Sequence, residues 1–133
     1  MIKKAGTILI NKHDIGLIYR DNYDDYSFPK GHQEEGETPL ECAIRETNEE
    51  TKREVTILME EPIYNEYYTD SKGNECNCLY YLARDAGKSD NDCEDTHDLV
   101  WIDFNKVGDV LSYESLKKLW NSIKDKVSNY LED

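Results

Sequence analysis

A mixed α/β sandwich, with a mixed β-sheet between helices, is predicted by the order of periodicities along the 133-residue chain. Apolar residues alternate with period two up to residue 20 and again between residues 54 and 84, as half-buried strands require. Between these blocks, and once more after residue 112, apolar residues take helical spacing. Helices interleaved with strands in that order belong on the faces of a sheet. No linker, repeat or low-complexity tract interrupts the chain, so one domain over residues 1–133 is expected, burying roughly two-thirds of its unfolded surface.

The elements follow in order. Ala5–Asn11 and Gly16–Arg20 alternate around Lys12-His13-Asp14 and predict a β-hairpin. Asp21–Tyr26 is expected to be a polar loop, and Ser27-Phe28-Pro29-Lys30-Gly31 a short extended segment entering a turn. Thr38 is the expected N-cap of a first helix, with Pro39 at its first position and Glu41 closing a capping box. Leu40, Ala43, Ile44 and Thr47 form its apolar stripe. Val55, Ile57 and Met59 alternate, Ile63–Thr69 is the next strand, and Asp70–Asn74 is a turn leading into Glu75–Arg84. Asp85–Asp98 is expected to be a polar loop, and Leu99–Ile102 a short strand. The last helix carries Leu116, Leu119, Trp120, Ile123, Val127 and Leu131 on one stripe.

Composition narrows the function. The chain is 38% hydrophobic and 11% aromatic, which suits a folded protein, and no apolar run reaches the roughly 18–20 residues of a membrane span. Its start, MIKKAGTILINKHD, alternates like a strand and lacks a small-residue cleavage site, so a cytoplasmic protein is expected. Cys42, Cys76, Cys78 and Cys93 follow no zinc spacing and are expected to be reduced thiols. A net charge of −13 argues against broad nucleic-acid binding and against anionic membranes. An anionic small-molecule substrate would need cations to mediate its contact.

That last condition bears on RETNEETK, residues 45–52. On a helix Glu46, Glu49 and Glu50 crowd together, and like charges at that spacing cost a few tenths of a kcal/mol per pair. Alone, such a run is an ordinary solvated face. Its context differs. From Gly31 to Arg53 the chain reads GHQEEGETPLECAIRETNEETKR, which resembles the Nudix hydrolase box G-x5-E-x7-R-E-U-x-E-E-x-G-U, with U a bulky apolar residue. Gly31, Glu37, Arg45, Glu46, Glu49 and Glu50 fall in register, and the order of elements matches over nearly the whole chain. Thr47, Lys52 and Arg53 depart from the pattern. Lys52 stands where the box has glycine, so either it takes a left-handed conformation at about 1 kcal/mol or the helix runs on.

The resemblance implies a Nudix-type α/β/α sandwich and water attack on a pyrophosphate linkage. It also implies a divalent ion, Mg²⁺ or Mn²⁺, held by Glu46, Glu49 and Glu50 with a backbone carbonyl at Lys30 or Gly31. Hard cations prefer such oxygen donors and would cancel the glutamates' mutual repulsion. Glu37 and Arg45 match a pair acting from behind the ligands. The proton acceptor is Glu49 or Glu50, or else Glu94 or Asp95 in the loop before the Trp101 strand. Phe28-Pro29-Lys30-Gly31-His32 looks like the PKGH opening of diadenosine tetraphosphate hydrolases, which tilts the substrate towards dinucleoside polyphosphates. Lys30, Tyr68 and Tyr80 are the candidate substrate contacts, the tyrosines as stacking surfaces for a base. Nucleoside triphosphates, nucleotide sugars and RNA 5′ ends remain alternatives, as does a sensor domain with little turnover.

Other motifs are rejected. The run from Asp90 to Asp95 lacks the glycine and closing glutamate of a calcium loop, and no G-K-[ST] follows Gly31–Gly36. His13, His32 and His97 have no paired ligand spacing and are read as surface or loop residues.

Overall fold

The computed structural model describes residues 1–94 and 96–132. Among them, eight strands join in one mixed sheet. They are β1 (Ile2–Asn11), β2 (Asp14–Arg20), β3 (Asp25–Ser27), β4 (Lys30–His32), β5 (Arg53–Ile57), β6 (Tyr64–Thr69), β7 (Glu75–Lys88) and β8 (Asp98–Asp103). The helices are α1 (Pro39–Thr51), the single turn α2 (Val107–Val110) and α3 (Glu114–Ser128).

β1 is central. It runs parallel to β7 from Ile2↔Cys76 to Ile10↔Arg84, while its first half pairs with β4 and its second half with β2, both antiparallel. β8 and β3 complete the β2 side; β5 and β6 each take half of β7. Pairing β4 to β1 demands close approach, which Gly6 permits: a Cβ there would overlap the Pro29 carbonyl oxygen. The chain entering β4 is thereby fixed against the middle of the sheet.

Alternation along β1 sorts the core into two layers. Ile8 and Ile10 face α3 with Leu82, Phe28, Leu119, Trp120 and Ile123. Trp120 packs on Phe28 and Phe104, with ring centroids 6.4 and 5.2 Å apart. On the opposite face Ala5 and Tyr81 meet Cys42 and Ala43 of α1, and the Thr7 and Thr47 hydroxyls bond at 2.8 Å. Small residues dominate here, and they let α1 lie close to the strands. Thr47 holds this seam where the box prefers an apolar residue.

α1 starts as its sequence dictates. The Thr38 hydroxyl accepts from Glu41 N at 3.1 Å and the Glu41 carboxylate from Thr38 N at 2.9 Å, worth about 1 kcal/mol in helix stability. It ends at Lys52 in the left-handed region (φ 60°, ψ 33°), so the helix does not run on.

Four expectations are corrected. β7 runs to Lys88 and not to Arg84, because its polar end is paired: Arg53 makes two 2.7 Å bonds to the Asp85 carboxylate across the β5–β7 ladder. Asp25 and Tyr26 are strand and not loop, because Arg20 grips the Asp25 carboxylate at 2.5 and 2.9 Å. β5 ends at Ile57, short of Met59. Leu131 lies beyond α3 but still packs on the core. Cys42, Cys76 and Cys78 are buried free thiols, and no described helix is long and apolar enough to cross a membrane.

Candidate active site

Arg45 ties the loop after β4 to α1. Its Nε and Nη2 donate to the two Glu37 carboxylate oxygens at 2.7 and 3.0 Å, and Nη2 also donates to the His32 carbonyl at 2.9 Å. On its helix side Nη1 donates to Glu46 at 2.8 Å and to Glu49 at 3.2 Å. The Arg45 guanidinium holds Glu37 at about 2, well below the ordinary 4.5. A planar fork with five donors can serve all these acceptors at once, and a lysine cannot.

Glu46, Glu49 and Glu50 occupy about one turn yet meet different surroundings. A Cβ at Gly31 would overlap the Glu46 carboxylate, so glycine is what lets β4 lie against the helix. The Gly31 carbonyl is turned to α1, accepting from Cys42 Sγ at 3.5 Å. Glu50 accepts from Lys30 N at 2.8 Å; burial, aided by the Glu46 charge, nonetheless pushes it up to about 7. Glu46 is also raised, chiefly by burial and further by Glu49 and Glu37, against the opposing pull of Arg45. Glu46 and Glu50 face a common cleft, while Glu49 lines a neighbouring hollow with Glu41 and Ile44. Among the described residues, no three Asp, Glu, His or Cys side chains converge as a ready metal cage. The donor set nonetheless fits a hard divalent ion: all oxygen, with more negative charge than Arg45 alone cancels.

Ser89, Asn91, Thr96 and His97 are pinned to the C-terminal end of α1. The Asn48, Glu49, Glu50 and Lys52 carbonyls accept from Asn91 Nδ2, Thr96 Oγ1, His97 N and Ser89 N at 2.9, 3.3, 3.0 and 2.9 Å. Lys52 closes the junction from the other side, its Nζ donating to Asn91 O, Asn91 Oδ1 and Cys93 O at 2.9, 2.8 and 2.7 Å. Glu94 and His97 consequently line the cleft, with His97 Nε2 3.9 Å from Glu50. Asp95 lies outside the described residues.

The cleft encloses about 450 Å³. Lys4, Arg20, Ser27 and Lys30 line both it and a second hollow of about 470 Å³, bounded by Glu66, Tyr68 and Tyr113. The result is one groove: glutamates at one end, three cations across its waist, two tyrosines at the other. Lys4 donates to the Tyr68 hydroxyl at 2.9 Å. Arg20 is anchored by Asp25, which also accepts from the Tyr113 hydroxyl. Tyr80 is not part of the groove. It is 0% exposed and packs edge-on to Phe28, with centroids 5.8 Å apart, so no base can reach its ring.

The NUDIX domain model matches residues 2–128. The chain belongs to the Nudix family. It is similar to the 8-oxo-(d)GTP phosphatase of Mycolicibacterium smegmatis, 29% identical over 106 residues, which is 80% of this chain but only 32% of that relative's length. It is also similar to the asymmetrical bis(5′-nucleosyl)-tetraphosphatase of Caenorhabditis elegans, 28% identical over 99% of this chain and 89% of that protein. The binary complex of a C. elegans Ap4A hydrolase superposes with a TM-score of 0.80 at 22% identity, covering 97% of this chain and 99% of that one. At that identity the superposition establishes the shared α/β fold.

As a Nudix hydrolase, the chain carries its box on one loop and one helix, where local spacing exposed it. Of the rest of the groove, the candidates Lys30, Tyr68 and Glu94 lie in it, and four further residues had no signal in the sequence. Lys4, Arg20, Tyr113 and Glu66 come from four separate elements and share no motif. His97 is a loop residue, as expected, and it also borders the cleft. Its one signal was position, just ahead of the Trp101 strand.

Proposed function

We propose that this Nudix hydrolase cleaves a phosphoanhydride bond in a nucleoside diphosphate-linked compound, specifically a dinucleoside polyphosphate such as diadenosine tetraphosphate. The observation that carries this reading is the continuous groove. In a chain with 29 acidic and 16 basic residues, Lys4, Arg20 and Lys30 gather between the box glutamates and a tyrosine-lined hollow. A polyphosphate along the cations would place one linkage beside α1 and one nucleoside beside Tyr68 and Tyr113. The likeness to the nematode tetraphosphatase over 99% of the chain supports the same substrate class.

Glu46, Glu49 and Glu50 with the Gly31 carbonyl would hold Mg²⁺ or Mn²⁺, after Glu49 turns from Arg45. When bound, the ion supplies Lewis-acid neutralisation of phosphate charge. Glu37 and Arg45 fix loop against helix so that Gly31 and Glu46 keep their separation. Lys30 and Lys4 orient the phosphates. Glu94, or the neighbouring Asp95, accepts the proton of the attacking water as its oxygen bonds to phosphorus and the bridging P–O bond breaks, the leaving phosphate taking the electron pair.

The test is a Mg²⁺-dependent hydrolysis screen over nucleotide classes, with products identified. Faster turnover of a dinucleoside tetraphosphate, to unequal products, is expected. A nucleotide sugar or an RNA 5′ end that wins clearly overturns the substrate and leaves the reaction class standing. The mycobacterial likeness favours a second reading, a nucleoside triphosphate, and the same screen separates it.

A further inference from the structure

Glu66 is a buried carboxylate that the reaction above does not use. It sits on β6 between Tyr64 and Tyr68, opposite Cys78 of β7, on the face of the sheet that otherwise forms the core. It is 8% exposed, and what it exposes faces the tyrosine-lined hollow. Among the described residues its side chain makes no hydrogen bond and no ion pair at contact distance; Asn77 Nδ2 reaches only its backbone carbonyl, at 3.2 Å. Lys30 and Lys4 act on it electrostatically from further off. A buried carboxylate without donors is unfavourable, and its two oxygens leave acceptor sites open to whatever enters the hollow.

We infer that Glu66 reads the base of the bound nucleotide, accepting the ring N1–H and the 2-amino group of guanine and so selecting guanine over adenine. This rests on the dinucleotide reading above and changes its example: the nucleoside seated beside Tyr68 and Tyr113 would be guanosine, in place of the adenosine of diadenosine tetraphosphate. The placement favours a base: Lys4 and Lys30, which would meet the phosphates, line the same hollow as Tyr68, Tyr113 and Glu66. The two guanine donors are coplanar and adjacent, matching a carboxylate's paired oxygens. Adenine presents an N1 lone pair there, which would oppose a carboxylate oxygen. A site built to hydrogen-bond an N–H discriminates strongly against a base that lacks it.

The experiment compares guanine, hypoxanthine and adenine forms of the tetraphosphate and the triphosphate, in wild type and Glu66→Gln. Guanine should exceed adenine in kcat/KM by about 10-fold or more, with hypoxanthine, which keeps only N1–H, between them. In Glu66→Gln that ratio should collapse towards unity, since one carbonyl replaces two acceptors. A variant that was only structurally weakened would lose activity on all three bases and keep the ratio. Calorimetry with methylene-bridged guanosine and adenosine analogues reads the same ratio without turnover, so failure of hydrolysis does not shield the inference. Equal or better use of adenine, a ratio unmoved by Glu66→Gln, or a Glu66 effect that vanishes on removing the sugar 2′-hydroxyl overturns it.

Discussion

Glu49 and Glu50 are neighbours in sequence and differ in every partner. Glu50 is half-buried and accepts from the Lys30 amide, whereas Glu49 lies over Arg45 on the flank of the helix. If both must hold an ion, Glu50 is preset and Glu49 has to be released. Glu50→Gln and Glu49→Gln should each lower metal-dependent turnover on the order of 10³-fold or more. Activity that survives chelation and both substitutions would exclude the mechanism. The proton acceptor is resolved separately: if Glu94→Gln and Asp95→Asn leave turnover within a few-fold at all pH values, the base lies in the box. What could be read from the sequence at this scale follows from locality. Gly31, Glu37, Arg45 and the three glutamates lie within 20 residues, so their spacing alone implied a shared surface. Arg20, Glu66 and Tyr113 meet only after β2, β6 and the start of α3 have packed. Tyr68 and Tyr80 had equal standing in the sequence; pairing separated them, because β7 is covered on both faces while β6 borders the hollow.

At the scale of elements, the junction between α1 and the segment after β7 shows how a departure from the box is accommodated. A left-handed Lys52 is disfavoured by about 1 kcal/mol against glycine. Its ammonium makes three bonds to Asn91 and Cys93 that glycine cannot make, holding the segment that carries Glu94. The two effects oppose one another. Lys52→Gly should therefore shift stability by no more than about 1 kcal/mol, while Lys52→Ala keeps the strain, loses the bonds, and should be worse by about 1 kcal/mol. Urea denaturation ranks the three proteins, and faster amide exchange at Cys93 and His97 in both variants would show the segment loosening. A glycine variant with unchanged exchange there would exclude the latch. The elements themselves were largely legible, because capping and turn residues act locally: Thr38, Pro39 and Glu41 placed the start of α1 correctly. The ends that failed were polar strands. Asp85 and Asp25 look like loop residues until Arg53 and Arg20 are seen to pair with them across the sheet.

For the molecule as a whole, two glutamates of opposite electrostatic habit set how folding stability responds to pH. Glu37 is held at about 2 by Arg45, below its ordinary 4.5. Its ionised form is favoured by folding, so this contribution is present above pH 4.5 and is lost as pH falls towards 2. Glu66 is raised above 4.5 by burial, which Lys30 and Lys4 only partly offset. Folding favours its neutral form, so its contribution is present below pH 4.5 and is lost as pH rises through its folded value. Two substitutions should then separate in opposite directions. Thermal denaturation of chelated protein should place Glu37→Gln below wild type at pH 7, with the curves converging as the pH falls from 4.5 towards 2. Glu66→Gln should lie above wild type at pH 8, with its advantage disappearing near and below pH 4.5. A Glu66→Gln protein less stable than wild type at pH 8 would mean that the carboxylate has donors of its own in the folded chain. If the predicted gain appears together with loss of guanine preference, the unpaired carboxylate is a feature held against stability for the sake of recognition.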